Sequence, residues 1–138
     1  MIRVQTEDFD AGAEIDAMRE RCADADADAG GLCSFIGVVR AGEGADQITS
    51  MTLEHYPGMT EKEMARIEAE ARKRWPLADV LILHRTGRLV PGDQIVLVLT
   101  ASRHRKASLA AAEFLIDWLK TKAPFWKSEE AAGEARWV

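Results

Sequence analysis

Two short and almost uninterrupted apolar runs constrain the fold of this chain more than any other feature of its sequence. They span residues 80–84 and 95–100, and the turn sequence Pro91-Gly92-Asp93 lies between them. Runs of this length without polar alternation are typical of strands that are buried on both faces. With 138 residues, the chain is long enough for one sizeable core, and we expect a single domain over residues 1–138.

Shorter patterns flank these two strands. Helices are predicted over residues 11–22, 60–74 and 104–122, and Thr60 followed by Glu63 has the spacing of a capping box. Further strands are predicted over residues 2–5, 32–40, 48–56 and 137–138, with loops at 24–31 and 41–46. The resulting order, β-α-β-β-α-β-β-α, predicts an α+β fold with a mixed or antiparallel sheet and flanking helices.

The last predicted helix has two faces. Its apolar stripe is predicted to consist of Leu109, Ala112, Ile116 and Leu119. Its polar face would carry Lys106, Glu113, Asp117 and Lys120.

Composition excludes several classes of protein. The chain has no apolar run of the roughly 18 residues that a membrane helix needs, and no secretory leader is recognisable, so we expect a cytoplasmic protein. Its two cysteines, Cys22 and Cys33, lack metal-site spacing and are expected to be free thiols. A Gly-rich phosphate loop, a Gly-x-Ser-x-Gly elbow and a Cys-x-x-Cys pair are all missing, so neither a cofactor nor a metal is expected.

The distribution of charge is more informative than the net charge of -5, which argues against general nucleic-acid binding. Residues 1–100 contain 11 basic and 18 acidic residues, a balance of -7. Residues 101–138 contain 7 basic and 5 acidic residues, a balance of +2. The locally cationic C-terminal third therefore predicts a focused site for a small anion.

Two lysines in this cationic third lie on either side of a rigid corner. Lys120 belongs to the last helix, Pro124 ends that helix, and Lys127 follows Trp126 directly. Lysines supported in this way are candidates for chemistry at fixed geometry. The alternatives are that Lys120 is a solvated lysine paired with Asp117, and that the stem of Lys127 lies over Trp126.

A second basic cluster opens the same helix. Residues 102–106 read Ser-Arg-His-Arg-Lys, and the N–H groups of a helix N-terminus together with Arg side chains suit a phosphate. The alternative is a polar first turn whose arginines pair with the acidic surface. Arg40 ends a predicted strand in which Gly37 would permit a bulge or a close approach, whereas His55 and His84 are interpreted as structural or loop residues.

Several motifs of the chain resemble one protein family, the molybdopterin synthase catalytic (large) subunits. The resemblance is collinear from about residue 30 to the C-terminus. Its motifs are Phe35-Ile36-Gly37-Val38-Val39-Arg40, Leu53-Glu54-His55-Tyr56-Pro57-Gly58-Met59, Arg74-Trp75-Pro76-Leu77, His84-Arg85-Thr86-Gly87, Pro91-Gly92-Asp93, Arg103-His104-Arg105 and residues 117–127.

The resemblance implies an α/β hammerhead fold and a sulfurtransferase. Such an enzyme converts cyclic pyranopterin monophosphate to molybdopterin with sulfur from the C-terminal Gly-Gly thiocarboxylate of a small ubiquitin-like subunit. It also implies a homodimer within a heterotetramer. From the sequence itself, either the apolar run 95–100 or an exposed edge strand could form the dimer contact. A non-catalytic module that binds the same partner and a phosphorylated ligand is the alternative, and a structural dimer with surface lysines is a third.

The same resemblance implies roles for individual residues. Lys120 and Lys127 match the catalytic lysines of the family. The implied substrate-binding positions are Val38, Val39, Arg40, His104, Arg105, Lys120, Lys127, Ser128 and Glu129, with Phe35 and Arg103 in support. Val38 replaces a residue that is often basic in the family, so it is expected to contribute backbone contacts only.

Overall fold

The computed structural model describes residues 1–44 and 47–131, together with the backbone of residues 134–137. The elements in chain order are β1 (Ile2–Gln5), α1 (Ala11–Asp24), β2 (Gly31–Val38), β3 (Ser50–His55), α2 (Met59–Arg74), β4 (Leu77–Arg85), β5 (Gly87–Leu89), β6 (Gln94–Ser102), α3 (Arg105–Thr121), β7 (Phe125–Ala131) and β8 (Glu134–Trp137). No helix in the described part of the chain is long and apolar enough to cross a membrane.

The larger sheet confirms the two buried strands that the apolar runs predict. Its order is β1-β4-β6-β2, with β1 parallel to β4 and the other pairs antiparallel. The runs form β4 and β6, and Leu81 lies opposite Leu99 at the centre of the pair. Because β6 is hydrogen-bonded on both edges, it cannot form a dimer contact by strand pairing, whereas β2 is an edge strand.

The side chains of β4 point alternately to the two faces of this sheet, which explains why helices cover both faces. Leu81 and Leu83 pack against α1, where Met18 and Cys22 are buried. The intervening Val80 and Ile82 pack on the other side against α2 and α3. Every one of these four β4 side chains is fully buried, so both faces contribute to the core.

A second, antiparallel sheet has the order β5-β3-β7-β8. The sequence did not predict β5 or β7. The first has only three residues, and β7 reads Phe-Trp-Lys-Ser-Glu-Glu-Ala, which has no apolar alternation. Pairing with β3 supplies the backbone hydrogen bonds that make β7 a strand. Strand β8 ends at Trp137, and residues 45, 46 and 138 of the predicted turn and strand lie outside the described residues.

Two predicted details of the helices are wrong. Helix α2 begins after Gly58, whose N–H donates to the Glu61 carboxylate at 2.7 Å, so Thr60 is not its N-cap. The buried face of α3 consists of Ser108, Ala111, Ala112, Leu115 and Trp118. Leu109 is 56% exposed because the helix presents the neighbouring row of side chains to the sheet.

Candidate active site

A cleft of about 590 Å³ lies where the end of α3 meets both sheets. This volume is within the usual range for small-molecule sites. The lining residues come from the ends of β2 and α3, the start of β7, and neighbouring strands. They are Phe35, Ile36, Gly37, Val38, Arg40, Met51, Leu53, His84, Ile95, Val96, Ile116, Leu119, Lys120, Thr121, Ala123, Phe125, Trp126 and Lys127.

The corner between α3 and β7 is held by backbone and side-chain hydrogen bonds. The N–H groups of Lys122 and Ala123 both donate to the Trp118 carbonyl, at 2.8 and 3.0 Å, and so end the helix. The hydroxyl of Thr60, in α2, donates to the Pro124 carbonyl at 3.1 Å. This geometry supports the rigid corner that the sequence predicts, with Lys120 before it and Lys127 after it.

Lys120 and Lys127 line the same cleft but have different partners. The ammonium of Lys127 lies 3.6 Å from the Glu129 carboxylate, while Lys120 forms no ion pair with any residue that the structure describes. The alternative pairing of Lys120 with Asp117 is therefore not formed. Trp126 packs against Tyr56 in a tilted arrangement, with ring centroids 4.4 Å apart. It lies on the opposite face of β7 from Lys127, so Lys127 does not lie over it.

The end of β2 brings Arg40 to this cleft, and Gly37 permits this course. A Cβ at position 37 would lie 2.6 Å from Cγ1 of Val96, and a bulge follows between Gly37 and Val38. Both properties were predicted for this glycine. After the bulge, Val39 turns inward and is buried, with its N–H donating to the Asp93 carbonyl at 2.9 Å.

The structure therefore brings together only part of the predicted site. Phe35, Val38, Arg40, Lys120 and Lys127 line the cleft. Val38 does so with a side chain that is about half exposed, which goes beyond the backbone role expected for it.

The remaining positions near the corner lie beside the cleft. Val39 is buried against Ile48, Met51 and Leu53. Glu129 contacts the cleft through Lys127, whereas Ser128 lies on the other face of β7.

The predicted residues His104 and Arg105 lie elsewhere. They line a separate cavity of about 1050 Å³ at the start of α3, together with Ala27, Gly30, Pro76, Leu77, Ala78, Arg103, Lys106 and Ala107. Arg105 and Lys120 are fifteen residues apart on α3, so the rise of the helix separates their backbones by about 22 Å. Arg103 pairs with Asp28 at 2.8 Å, as the alternative interpretation of this basic turn expects for an arginine.

His84 is the cleft residue that sequence reasoning missed. It was interpreted as structural, because a single histidine at the end of an apolar strand gives no signal of a site. In the fold it is buried, stacks on Phe125 with ring centroids 3.9 Å apart, and shares a 2.8 Å hydrogen bond with the Arg85 carbonyl through Nδ1. Burial lowers the pKa of His84 to about 4, partly opposed by that hydrogen bond, so the ring is neutral near pH 7.

Neither cysteine has the surroundings of an activated nucleophile. Burial raises the pKa of the Cys22 thiol, and the nearby Asp79 carboxylate raises it further. Burial also raises the pKa of the Cys33 thiol. Because the thiolate is the reactive form, the cations of the cleft are better candidates for chemistry than either thiol.

Comparison with known proteins identifies the family. The profile of the MoaE protein family matches residues 4–122. A molybdopterin synthase catalytic subunit from Ralstonia nicotianae is 53% identical over 137 residues, covering 99% of this chain and 76% of the relative. One from Cereibacter sphaeroides is 50% identical over 137 residues, covering 99% and 90%.

A solved structure agrees with these relatives in both sequence and fold. The molybdopterin biosynthesis MoaE protein from Burkholderia ambifaria is 50% identical, with a TM-score of 0.84, and the match covers 100% of this chain and 88% of that one. Since the matches extend over nearly the whole chain, it belongs to the MoaE family, the molybdopterin synthase catalytic subunits.

Proposed function

We propose that the cleft between α3 and β7 is the site of sulfur transfer from a small ubiquitin-like subunit to cyclic pyranopterin monophosphate, which yields molybdopterin. One observation carries the proposal: three cations, Arg40, Lys120 and Lys127, line the cleft, and none of the described residues that line it is acidic. Both reactants are anionic, one at its phosphate and the other at its thiocarboxylate. A concave cationic site holds them together.

The apolar wall of the cleft strengthens these charges. Side chains such as Phe35, Leu53 and Ile116 line it and keep water away from a bound ligand. Charge–charge attraction grows as the local dielectric falls. Holding both reactants in the reactive geometry can lower the free-energy barrier of the reaction by on the order of 7 to 11 kcal/mol at best.

Lys120 is proposed as the principal catalytic group. The partner's sulfur forms a C–S bond to a side-chain carbon of the pterin and displaces a C–O bond of that carbon. The acyl C–S bond then breaks by hydrolysis, so that water supplies the oxygen of the carboxylate left on the partner, and two such transfers give the dithiolene. Lys120 donates and accepts the protons that these steps require, and it can also trap the acyl carbon transiently. Lys127 and Arg40 stabilise the developing negative charge and the phosphate.

His104 and Arg105 are proposed to join the site from a second copy of the chain. The exposed edge strand β2 carries Leu32, Ile36 and Val38 on its surface and runs from the His104 end of the molecule to the cleft, a length of about 23 Å. Antiparallel pairing of β2 with its copy about a two-fold axis would put His104 and Arg105 of one protomer beside the cleft of the other. This arrangement supports a homodimer within a heterotetramer with two small subunits.

The cytoplasm is the proposed location. The structure contains Cys22 and Cys33 as free thiols, which suits a reducing compartment.

A reconstituted reaction tests the assignment. The protein is mixed with its thiocarboxylated small subunit and cyclic pyranopterin monophosphate, and molybdopterin is detected as its oxidised fluorescent derivative. Lys120→Ala is expected to abolish product without loss of fold or partner binding. Lys122→Ala is the matched control, because Lys122 is exposed two residues away and does not line the cleft.

The outcome separates the enzyme from the non-catalytic binding module. Product from wild type and Lys122→Ala but not from Lys120→Ala would support the enzyme and its central lysine. A near-normal rate for Lys120→Ala would refute the role of that lysine. Partner binding without product from wild-type protein would favour the module.

A further inference from the structure

His84 has a fixed tautomer. A carbonyl oxygen only accepts hydrogen bonds, so the 2.8 Å contact with the Arg85 carbonyl requires that Nδ1 carry the hydrogen. The ring is therefore oriented from one side by the backbone of its own strand. In the described part of the chain, Nε2 forms no hydrogen bond, and His84 belongs to the wall of the cleft.

The other contact of this ring joins the two sheets. His84 lies at the end of β4 in the larger sheet, and Phe125 is the first residue of β7 in the smaller one. Their rings are 3.9 Å apart with an interplanar angle of 16°, a stacked arrangement. On the smaller sheet, His55 lies opposite Phe125, with ring centroids 6.3 Å apart.

Phe125 in turn shares a strand face with Lys127. Side chains two residues apart on a strand lie on the same side, and both residues line the cleft. A displacement of the Phe125 ring that shifts the start of β7 would therefore also shift the lysine. The backbone at Pro124 is held by Thr60, and the stack on His84 is the shortest of the ring contacts that hold the Phe125 side chain.

We propose that His84 is a positioning residue: its hydrogen-bonded ring, stacked on Phe125, sets the start of β7 and so the place of Lys127 relative to Lys120. This inference rests on the proposed function of the two lysines. It also explains why a histidine is used in an otherwise apolar strand. A phenylalanine can stack in the same volume, but only the imidazole N–H fixes the orientation of the ring.

The test compares His84→Ala, which removes the stack, with His84→Phe, which keeps a stacked ring and loses the hydrogen bond. We expect kcat to fall about tenfold to about 100-fold in His84→Ala, because a misplacement of about 1 Å can cost that much. His84→Phe should recover part of this loss, because it restores the stack without the hydrogen bond that orients the ring. Phe125→Leu breaks the stack from the other sheet and should lower kcat to the same extent. It keeps the test available if His84→Ala fails to fold.

A double-mutant cycle shows whether His84 acts through Lys127. On a Lys127→Ala background, His84→Ala should lower kcat no further, because the group that it positions is gone. Equal losses on both backgrounds would mean a structural role and would overturn the proposal.

A second readout does not depend on turnover. Lysines are labelled by reductive methylation with ¹³C-formaldehyde, and the resonance of Lys127 is assigned from its absence in Lys127→Arg. It should shift in folded His84→Ala and Phe125→Leu, whereas the resonance of Lys73, on the far side of α2, should not. An unchanged Lys127 resonance in both folded variants would overturn the inference, while a wild-type protein without product would refute only the proposed function.

Discussion

Acid should destabilise this protein through His84, and the size of the effect follows from its burial. The neutral ring is favoured in the folded state, where the pKa of His84 is lowered to about 4 from an ordinary value of 6.5. As the pH falls from 6.5 to 4, the unfolded chain binds a proton at this residue and the folded chain does not. Stability is therefore lost across that window, in total about 3 kcal/mol at about 1.4 kcal/mol per pKa unit.

The comparison of wild type with His84→Phe isolates this contribution. Urea unfolding is followed by tryptophan fluorescence at steps between pH 8 and pH 4. The difference in unfolding free energy between the two proteins should be constant above pH 7 and should shift by about 3 kcal/mol in favour of the variant by pH 4. Carboxylates such as Asp8, whose pKa is lowered chiefly by hydrogen bonds from Gln94 and Phe9, are present in both proteins and cancel.

Two neighbouring groups also act on the pKa of His84. His55 lies across the Phe125 ring and lowers the pKa of His84 when it is charged, whereas the Arg85 carbonyl raises it. A His55→Gln control removes the effect of His55 and should leave most of the pH dependence of the unfolding free energy, because burial is the largest cause of the lowered pKa of His84. If the unfolding free energies of wild type and His84→Phe changed in parallel from pH 8 to pH 4, the reasoning would be refuted.

Two further substitutions probe the wall of the cleft and the corner beside it. Gly37→Ala would place a Cβ 2.6 Å from Cγ1 of Val96, so we expect the unfolding free energy in chemical denaturation to fall by about 1 to 3 kcal/mol. A Gly37→Ala, Val96→Ala double variant should recover part of this loss. No recovery would mean that the strain does not come from the contact with Val96. Thr60→Val removes the hydrogen bonds to the Pro124 carbonyl and from the Tyr56 N–H, and should cost about 1 to 3 kcal/mol and lower the rate of product formation. Loss of stability with an unchanged rate per folded molecule would mean that this bond does not help to hold the corner.

Much of the fold could be predicted because it follows from local pattern. Apolar runs specified β4 and β6, and the helix boundaries were recovered to within about two residues, with the exception of the α2 cap. Strand β7 could not be predicted, since residues such as Lys127 and Glu129 carry no apolar period and become a strand only by pairing with β3.

The sequence by itself determined the family, the helices, the two central strands and the residue types of the site, because periodicity and motifs are local properties of the chain. Only the tertiary structure decided which of those residues meet. It gathered Arg40, Lys120 and Lys127 in one cleft and put His104 and Arg105 at the other end of α3. It also brought His84 against Phe125, forty-one positions away in the chain, because the course of the backbone between them depends on long-range strand pairing and burial, which no local pattern records.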